Sequence, residues 1–170
     1  MPKIQSHLTK HTISSNSSEA YSLSEKSKFG EKIGEKIQYT LSEALFLVEQ
    51  GKMEIYSKDK ILHKDELLKK FQKIDKRIEI KYPVYRDLRK RGHIVKTALK
   101  FGGDFRVYEK SNKNTHAKWI VFADNESKRL TWQEFSAKNR VAHSTNKKLL
   151  LAIVDEEGDI TYYEVKWIKP

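Results

Sequence analysis

Cysteine is absent from this chain, which excludes a disulfide, a thiolate metal site and a thiol nucleophile. Long apolar runs are missing too. No stretch approaches the length needed to span a bilayer, and the polar segment from Met1 to Ser18 lacks the apolar core of a secretory signal. A cytoplasmic home is the expectation. The six histidines, His7, His11, His63, His93, His116 and His143, show no HExxH or other close ligand pairing. Glycine-rich phosphate loops are lacking, since Gly102-Gly103 is only a turn, and no GxSxG elbow occurs. The acidic cluster from Asp155 to Asp159 sits in a tight turn with nothing beside it to complete a metal site. The expectation is therefore no metal and no cofactor. Any catalysis would fall to acid–base chemistry by His, Tyr, Lys or Arg.

What the chain has in excess is positive charge. Lys and Arg number 34 against 23 Asp and Glu, a formal net charge of +11. The excess is uneven: residues 1–80 hold 15 basic and 12 acidic side chains, residues 81–170 hold 19 and 11. A basic surface attracts polyanions by a Coulombic force that weakens with salt. Nucleic acid is the first partner to consider; an acidic protein or a membrane surface is the alternative, and lysine-rich surfaces also serve solubility. With 38% hydrophobic and 34% charged residues over 170 positions, one good core, or a medium domain with a small appendage, is within reach.

Along the chain, the first thirty residues are rich in Ser, Lys and Thr and read as a weakly structured, strand-poor start. Ser42 is placed to cap a short helix, Glu43 to Gln50, with Gly51 as a left-handed stop. Met53 to Tyr56 reads as a brief strand. A second helix starts near Lys64, with Leu67, Leu68, Phe71, Ile74 and Ile78 at helical spacing. Pro83 suits the start of a helix ending at Gly92. Short strands follow at His93 to Thr97, Asp104 to Glu109 and Lys118 to Ala123. Thr131-Trp132-Gln133-Glu134 has capping-box spacing and predicts a helix towards Thr145. The apolar run Leu149 to Val154 predicts a central strand buried on both faces, and the acidic turn leads to a last strand, Ile160 to Ile168. The expected fold class is α/β (α+β): a small helix-containing domain over residues 1–81, then a mixed-sheet domain over 82–170.

Acid–base chemistry of this kind suits RNA, which carries its own nucleophile in the 2′-hydroxyl. One group must take that proton, another must protonate the departing 5′-oxygen, and a cation should balance charge on the phosphate. Histidine suits the acid role because its ordinary pKa lies near neutrality. Tyrosine needs nearby cations to become a useful base.

The series Asp104-Phe105-Arg106-Val107-Tyr108, then His116 before an apolar strand, then Arg140-Val141-Ala142-His143-Ser144 leading to Lys147-Lys148-Leu149-Leu150 resembles the C-terminal domain of archaeal tRNA-intron endonucleases. Tyr82-Pro83-Val84-Tyr85-Arg86-Asp87-Leu88-Arg89, Arg91-Gly92-His93-Ile94-Val95-Lys96-Thr97, and the ending from Ala152 through Tyr162-Tyr163 extend it. The resemblance covers roughly residues 40–170 and implies a restriction-endonuclease-like C-terminal domain with a catalytic trio at Tyr108, His116 and Lys147. In that mechanism Tyr108 is the general base, His116 the general acid, and Lys147 stabilises the pentacoordinate phosphate. The implied substrate is the bulge–helix–bulge element of precursor tRNA, cut without metal to a 2′,3′-cyclic phosphate and a 5′-hydroxyl. Taken singly, Tyr108 reads first as a strand aromatic, His116 as an exposed imidazole after the polar loop Ser111 to Thr115, and Lys147 as one of a solvated pair. The ordered combination favours the trio.

The resemblance also implies that Arg140 stacks on a bulged base, with Trp167 as the second stacking partner or else a packing residue on the last strand. It implies assembly through Tyr163 and Val165 of that strand, and docking of Asp155, Glu156, Glu157 and Asp159 into a basic cleft of a neighbour. A homotetramer and a heterotetramer with a structural subunit both fit. The family's N-terminal sheet is not visible in the first forty residues, which leans towards the heteromeric form. Two further readings stand beside the endonuclease: a non-catalytic subunit of such an enzyme, which should lack part of the trio, and a basic RNA- or DNA-binding module without catalysis.

Overall fold

The computed structural model describes residues 2–109 and 116–170; the polar loop expected at Ser111 to Thr115 lies outside them. The chain divides into two compact units, Met1–Glu79 and Ile80–Pro170.

The first unit runs β1 (Ile4–Thr9), β2 (Thr12–Ser15), α1 (Ser18–Ser27), β3 (Glu31–Ile33), β4 (Lys36–Tyr39), α2 (Leu41–Glu49), β5 (Met53–Ser57), β6 (Lys60–Ile61) and α3 (Lys64–Ile74). Its strands form one six-stranded sheet ordered β3-β4-β2-β1-β5-β6. The expectation of a strand-poor start is corrected: four of these strands lie within the first forty residues. Serine concealed them. In β1 and β2 the core-facing positions are Ile4, Ser6, Ile13 and Ser15, all buried. Each serine returns its hydroxyl to the main chain: Ser6 Oγ donates to the Glu54 carbonyl at 3.0 Å and Ser15 Oγ to the Gln5 carbonyl at 2.5 Å. A buried hydroxyl satisfied in this way costs little, yet it erases the apolar alternation by which strands are recognised.

Helix boundaries also move. The cap of α2 is Thr40, not Ser42, in a reciprocal box with Glu43, and Ser42 lies buried in the first turn. Gly51 does take the left-handed stop, at φ +67°. The helix expected to include Ile78 breaks at Asp75, whose carboxylate accepts the Arg77 N–H at 2.9 Å in an Asx turn.

The second unit is built around α4 (Ile78–Lys90), β7 (Ile94–Thr97), a 3-10 turn at Leu99–Phe101, β8 (Phe105–Tyr108), β9 (Trp119–Asn125), α5 (Trp132–Ser144), β10 (Lys148–Val154) and β11 (Ile160–Val165). Pro83 does not start α4 but sits inside it. Losing one backbone bond there is offset by the apolar stripe Ile78, Tyr82, Tyr85 and Leu88, all buried. The last strand stops at Val165 rather than Ile168.

The five strands form a mixed sheet ordered β11-β10-β9-β8-β7, with β9 and β10 parallel and the other pairs antiparallel. The crossover between the parallel strands is α5. Thr131 and Glu134 form its capping box as the spacing predicts. On the α5 side, Ile120, Phe122 and Leu149 pack with Ala98 and Ala142. On the other side Tyr85 of α4 meets Phe105 at 5.8 Å between ring centroids, and the Tyr162 hydroxyl donates to Asp87 Oδ2 at 2.8 Å. Burial, then this hydrogen bond to Asp87, pushes the Tyr162 phenol well above its ordinary range. Covered on both faces, β10 is the central strand its apolar run predicts.

Candidate active site

Register places the candidate residues at one end of the sheet. Val107 pairs with Trp119 across β8 and β9, and Trp119 pairs with Lys148 across β9 and β10. The junctions are tight: the Lys118 N–H donates to the Val107 carbonyl at 2.8 Å, and the Lys148 N–H to the Lys118 carbonyl at 2.9 Å. Tyr108 ends β8, His116 precedes the start of β9, and Lys147 precedes β10. Tyr108 therefore lies at the end of β8, and His116 and Lys147 in the segments that lead into the neighbouring β9 and β10 at that same end of the sheet. Side-chain alternation assigns Tyr108, with Arg106 and Ile120, to the face that α5 covers. Lys147 shares the parity of Leu149 on that same face.

Each side chain has its own setting. Tyr108 is half-buried and His116 exposed. The main-chain oxygen of Tyr108 lies 3.0 Å from His93 Nδ1. Lys147 is half-buried; its ammonium donates to the Thr145 carbonyl at 2.9 Å and stands 5.6 Å from the Phe101 ring centroid. Lys147 is held where it is by the turn that ends α5, in which Asn146 takes φ +55° and the Lys147 N–H donates to the Ala142 carbonyl at 2.8 Å.

A cavity of about 360 Å³ opens beside Lys147, lined also by Lys118, His143, Lys148, Lys166 and Trp167. Lys147 and Trp167 thus share a pocket. Tyr108 and His116 share its end of the sheet but do not line it, and Arg140 lies exposed on α5 outside it. Trp167 sits beyond the end of β11, its ring 4.5 Å from that of His143. From sequence alone His143, Lys118 and His93 carried no assigned role. The first was legible as the residue one helical turn after Arg140; the other two are revealed only by pairing across the sheet.

Carboxylates near the cavity are engaged. Glu164 of β11 accepts from Trp119 Nε1 at 2.7 Å and from Lys148 Nζ at 3.1 Å. These bonds, the indole's first, hold its carboxyl below the usual range. Glu109 is paired with Lys118. Among the described residues no group of three or more His, Asp or Glu is placed to hold a metal ion, and no helix is long and apolar enough to cross a membrane.

The residues assigned to assembly lie elsewhere. Asp155, Glu156, Glu157 and Asp159 form the β10–β11 turn, at the opposite end of β10 from Lys147, closed by Asp155 Oδ1 accepting the Glu157 and Asp159 N–H groups. Tyr163 is 56% exposed on the edge strand. Val165 is half-buried against the chain's own core.

Comparison with known proteins agrees with this architecture. Residues 78–162 match the model for the tRNA intron endonuclease catalytic C-terminal domain, and residues 4–68 match that for the family's N-terminal domain. The second match covers the sheet-bearing first unit, where the family's N-terminal sheet was not expected. A tRNA-splicing endonuclease from Pyrococcus horikoshii is 46% identical over 141 residues, covering 83% of this chain and 82% of that protein. One from Nanoarchaeum equitans is 44% identical over 138 residues, covering 76% and 88%. One from Methanothermobacter thermautotrophicus is 41% identical, covering 85% of each. With both domains matched and relatives of this similarity along most of its length, the chain belongs to the tRNA intron endonuclease family.

Proposed function

We propose that this chain is a catalytic subunit that cuts precursor tRNA at bulge–helix–bulge junctions, with Tyr108, His116 and Lys147 as the reacting groups. The observation that supports the reading is that Tyr108, His116 and Lys147 stand at or just before the same end of three adjacent strands, with Lys147 lining a cavity rimmed by further lysines.

The chemistry runs as one displacement. Tyr108 Oη takes the proton of the 2′-hydroxyl, and the 2′-oxygen attacks the adjacent phosphorus. The bond from phosphorus to the 5′-oxygen breaks as His116 gives that oxygen a proton. Lys147 turns from the Thr145 carbonyl to the non-bridging oxygens, where negative charge accumulates in the transition state. The products are a 2′,3′-cyclic phosphate and a 5′-hydroxyl, and each proton has a named donor and acceptor without a metal. Arg140 and Trp167 would hold extruded bases by stacking, a mode suited to unpaired RNA. Tyr163, with the acidic turn Asp155–Asp159, would serve assembly into a homotetramer or a heterotetramer with a structural subunit; the exposed Tyr163 on a strand that is the sheet edge among the described residues supports this.

The test uses purified protein in excess EDTA with a bulge–helix–bulge RNA, alone and with any partner subunit. Cleavage to cyclic-phosphate ends, reduced about 10²–10⁴-fold in His116→Ala, is expected. RNA left intact under every condition would overturn the reading.

A further inference from the structure

The six-stranded sheet of the first unit has one face packed into the core and one open. Ile4, Ser6, Ile13, Ser15, Ile37 and Ile55 take the buried side. The register pairs His7 with both Ser14 and Tyr56, and Ser14 with Gln38, so these side chains share the open face. There a cleft of about 530 Å³ is lined by His7, Ser14, Asn16, Lys10, Lys36 and Lys58, among others. That volume is within the range of roughly 300–1,000 Å³ usual for ligand clefts.

Three features of this cleft point to one ligand chemistry. Its three lysines arrive from separate segments, and none is ion-paired among the described residues. A carboxylate on the same face, Glu54, is already held by Lys3 at 2.8 Å and by the Tyr56 hydroxyl at 3.2 Å, so it is engaged outside the cleft. Second, Lys10 and Lys58 occupy turns at φ +56° and +55°. Asn or Gly fills such positions at lower cost, so the ammonium-bearing side chain gains nothing for the turn itself. Third, His7 of the cleft wall has the Tyr56 ring beside it, 5.7 Å between centroids, so a flat aromatic surface borders the cations. Spaced lysines match the phosphates of a polynucleotide strand, and adjacent rings offer a base somewhere to stack.

We infer that this cleft is a second RNA-binding site, on the N-terminal unit, in which Lys10, Lys36 and Lys58 contact backbone phosphates and a base stacks at its border, where His7 meets Tyr56. It rests on the reading of RNA as the substrate but uses none of the residues proposed for cleavage.

The experiment measures binding of the full chain to a 2′-O-methylated RNA oligonucleotide, which lacks the attacking hydroxyl, by fluorescence anisotropy across a salt series. Three lost phosphate contacts should make the slope of log affinity against log salt shallower by about 2, at roughly 0.7 per contact on a single strand. Lys10→Gln/Lys36→Gln/Lys58→Gln should show this slope with at least a tenfold loss of affinity at moderate salt. Tyr56→Ala should weaken binding by about fivefold or more with the slope unchanged, and Tyr56→Phe should not. If the triple variant melts early, Lys36→Gln alone, at an ordinary strand position, should lower the slope by roughly 0.7. Unchanged affinity and slope in these lysine variants would overturn the inference, as would competition by polyglutamate as effective as by RNA. Wild-type chain that binds RNA this way but never cuts it would sink the cleavage reading alone; chain that cuts while the lysine variants bind normally would sink this one alone.

Discussion

His93 Nδ1 lies 3.0 Å from the main-chain oxygen of Tyr108, while the His93 and Trp119 rings stand nearly perpendicular, 5.6 Å between centroids and 89° between planes. One imidazole thus ties the end of β8 to the start of β9, the two points between which the proposed base and acid are hung. With the proton on Nδ1 the ring donates to that carbonyl. His93→Phe keeps the aromatic contact and loses the bond. A hydrogen bond of about 1 kcal/mol spent on position corresponds to roughly a fivefold fall in kcat with KM little changed. Single-turnover cleavage measures it, and an unchanged kcat would remove His93 from the positioning of Tyr108.

Helix α5 carries Arg140 and His143 and ends in the turn that sets Lys147, so its N-terminal cap bears on the site from a distance. Glu134 Oε2 accepts from the Thr131 N–H at 2.8 Å, and Thr131 Oγ1 accepts the Glu134 N–H at 3.2 Å. Thr131→Ala should cost about 1 kcal/mol of stability, read by urea unfolding, with the slope of unfolding against urea unchanged. A neutral result would mean the cap is replaced by water.

Glu164 gives a pH-dependent contribution of known sign. Its carboxyl is held below its ordinary range by Trp119 and Lys148, so the folded state favours the ionised form. The stabilisation is complete above the unfolded carboxylate pKa and fades as pH falls through the lower folded value. The group is 38% exposed, and solvent screening keeps the effect to about 1 kcal/mol or less. Thermal melts of wild type and Glu164→Gln should differ at pH 7 and converge towards pH 3. A difference that grows on acidification would contradict this assignment.

Gly103 lies under the sheet, where an added Cβ would stand 2.6 Å from Ile120 Cγ2 and 3.6 Å from Ala98 Cβ. Next to it, Asp104 Oδ2 accepts the Ala123 N–H at 2.8 Å, so the backbone has little freedom to retreat. Gly103→Ala should destabilise by about 1–3 kcal/mol through overpacking. A wild-type melting temperature would show that β8 can shift.

Much of the second unit was legible because its signals are local. The run Leu149 to Val154 has no polar interruption to mislead, and the Thr131–Glu134 spacing is a cap whatever surrounds it. The first unit was opaque for a tertiary reason: Ser6 and Ser15 look like loop residues until the carbonyls that accept their hydroxyls are known. Pro83 misled in the opposite sense, since a strong local rule yielded to burial of Tyr82 and Tyr85. At the candidate site, Tyr108, His116 and Lys147 were marked by resemblance rather than periodicity, and Lys118 became visible only through the strand pairing that sets it beside Lys147.

The most direct measurement concerns the proton that His116 is proposed to give. An RNA in which sulfur replaces the bridging 5′-oxygen at the cleavage site has a leaving group that departs without protonation, so it bypasses the general acid alone. Cleavage of this RNA by His116→Ala should return to within about tenfold of the wild-type rate, while Tyr108→Phe and Lys147→Ala should remain impaired. Equal impairment of all three variants on the sulfur substrate, or undiminished cutting of ordinary RNA by His116→Ala, would contradict the account.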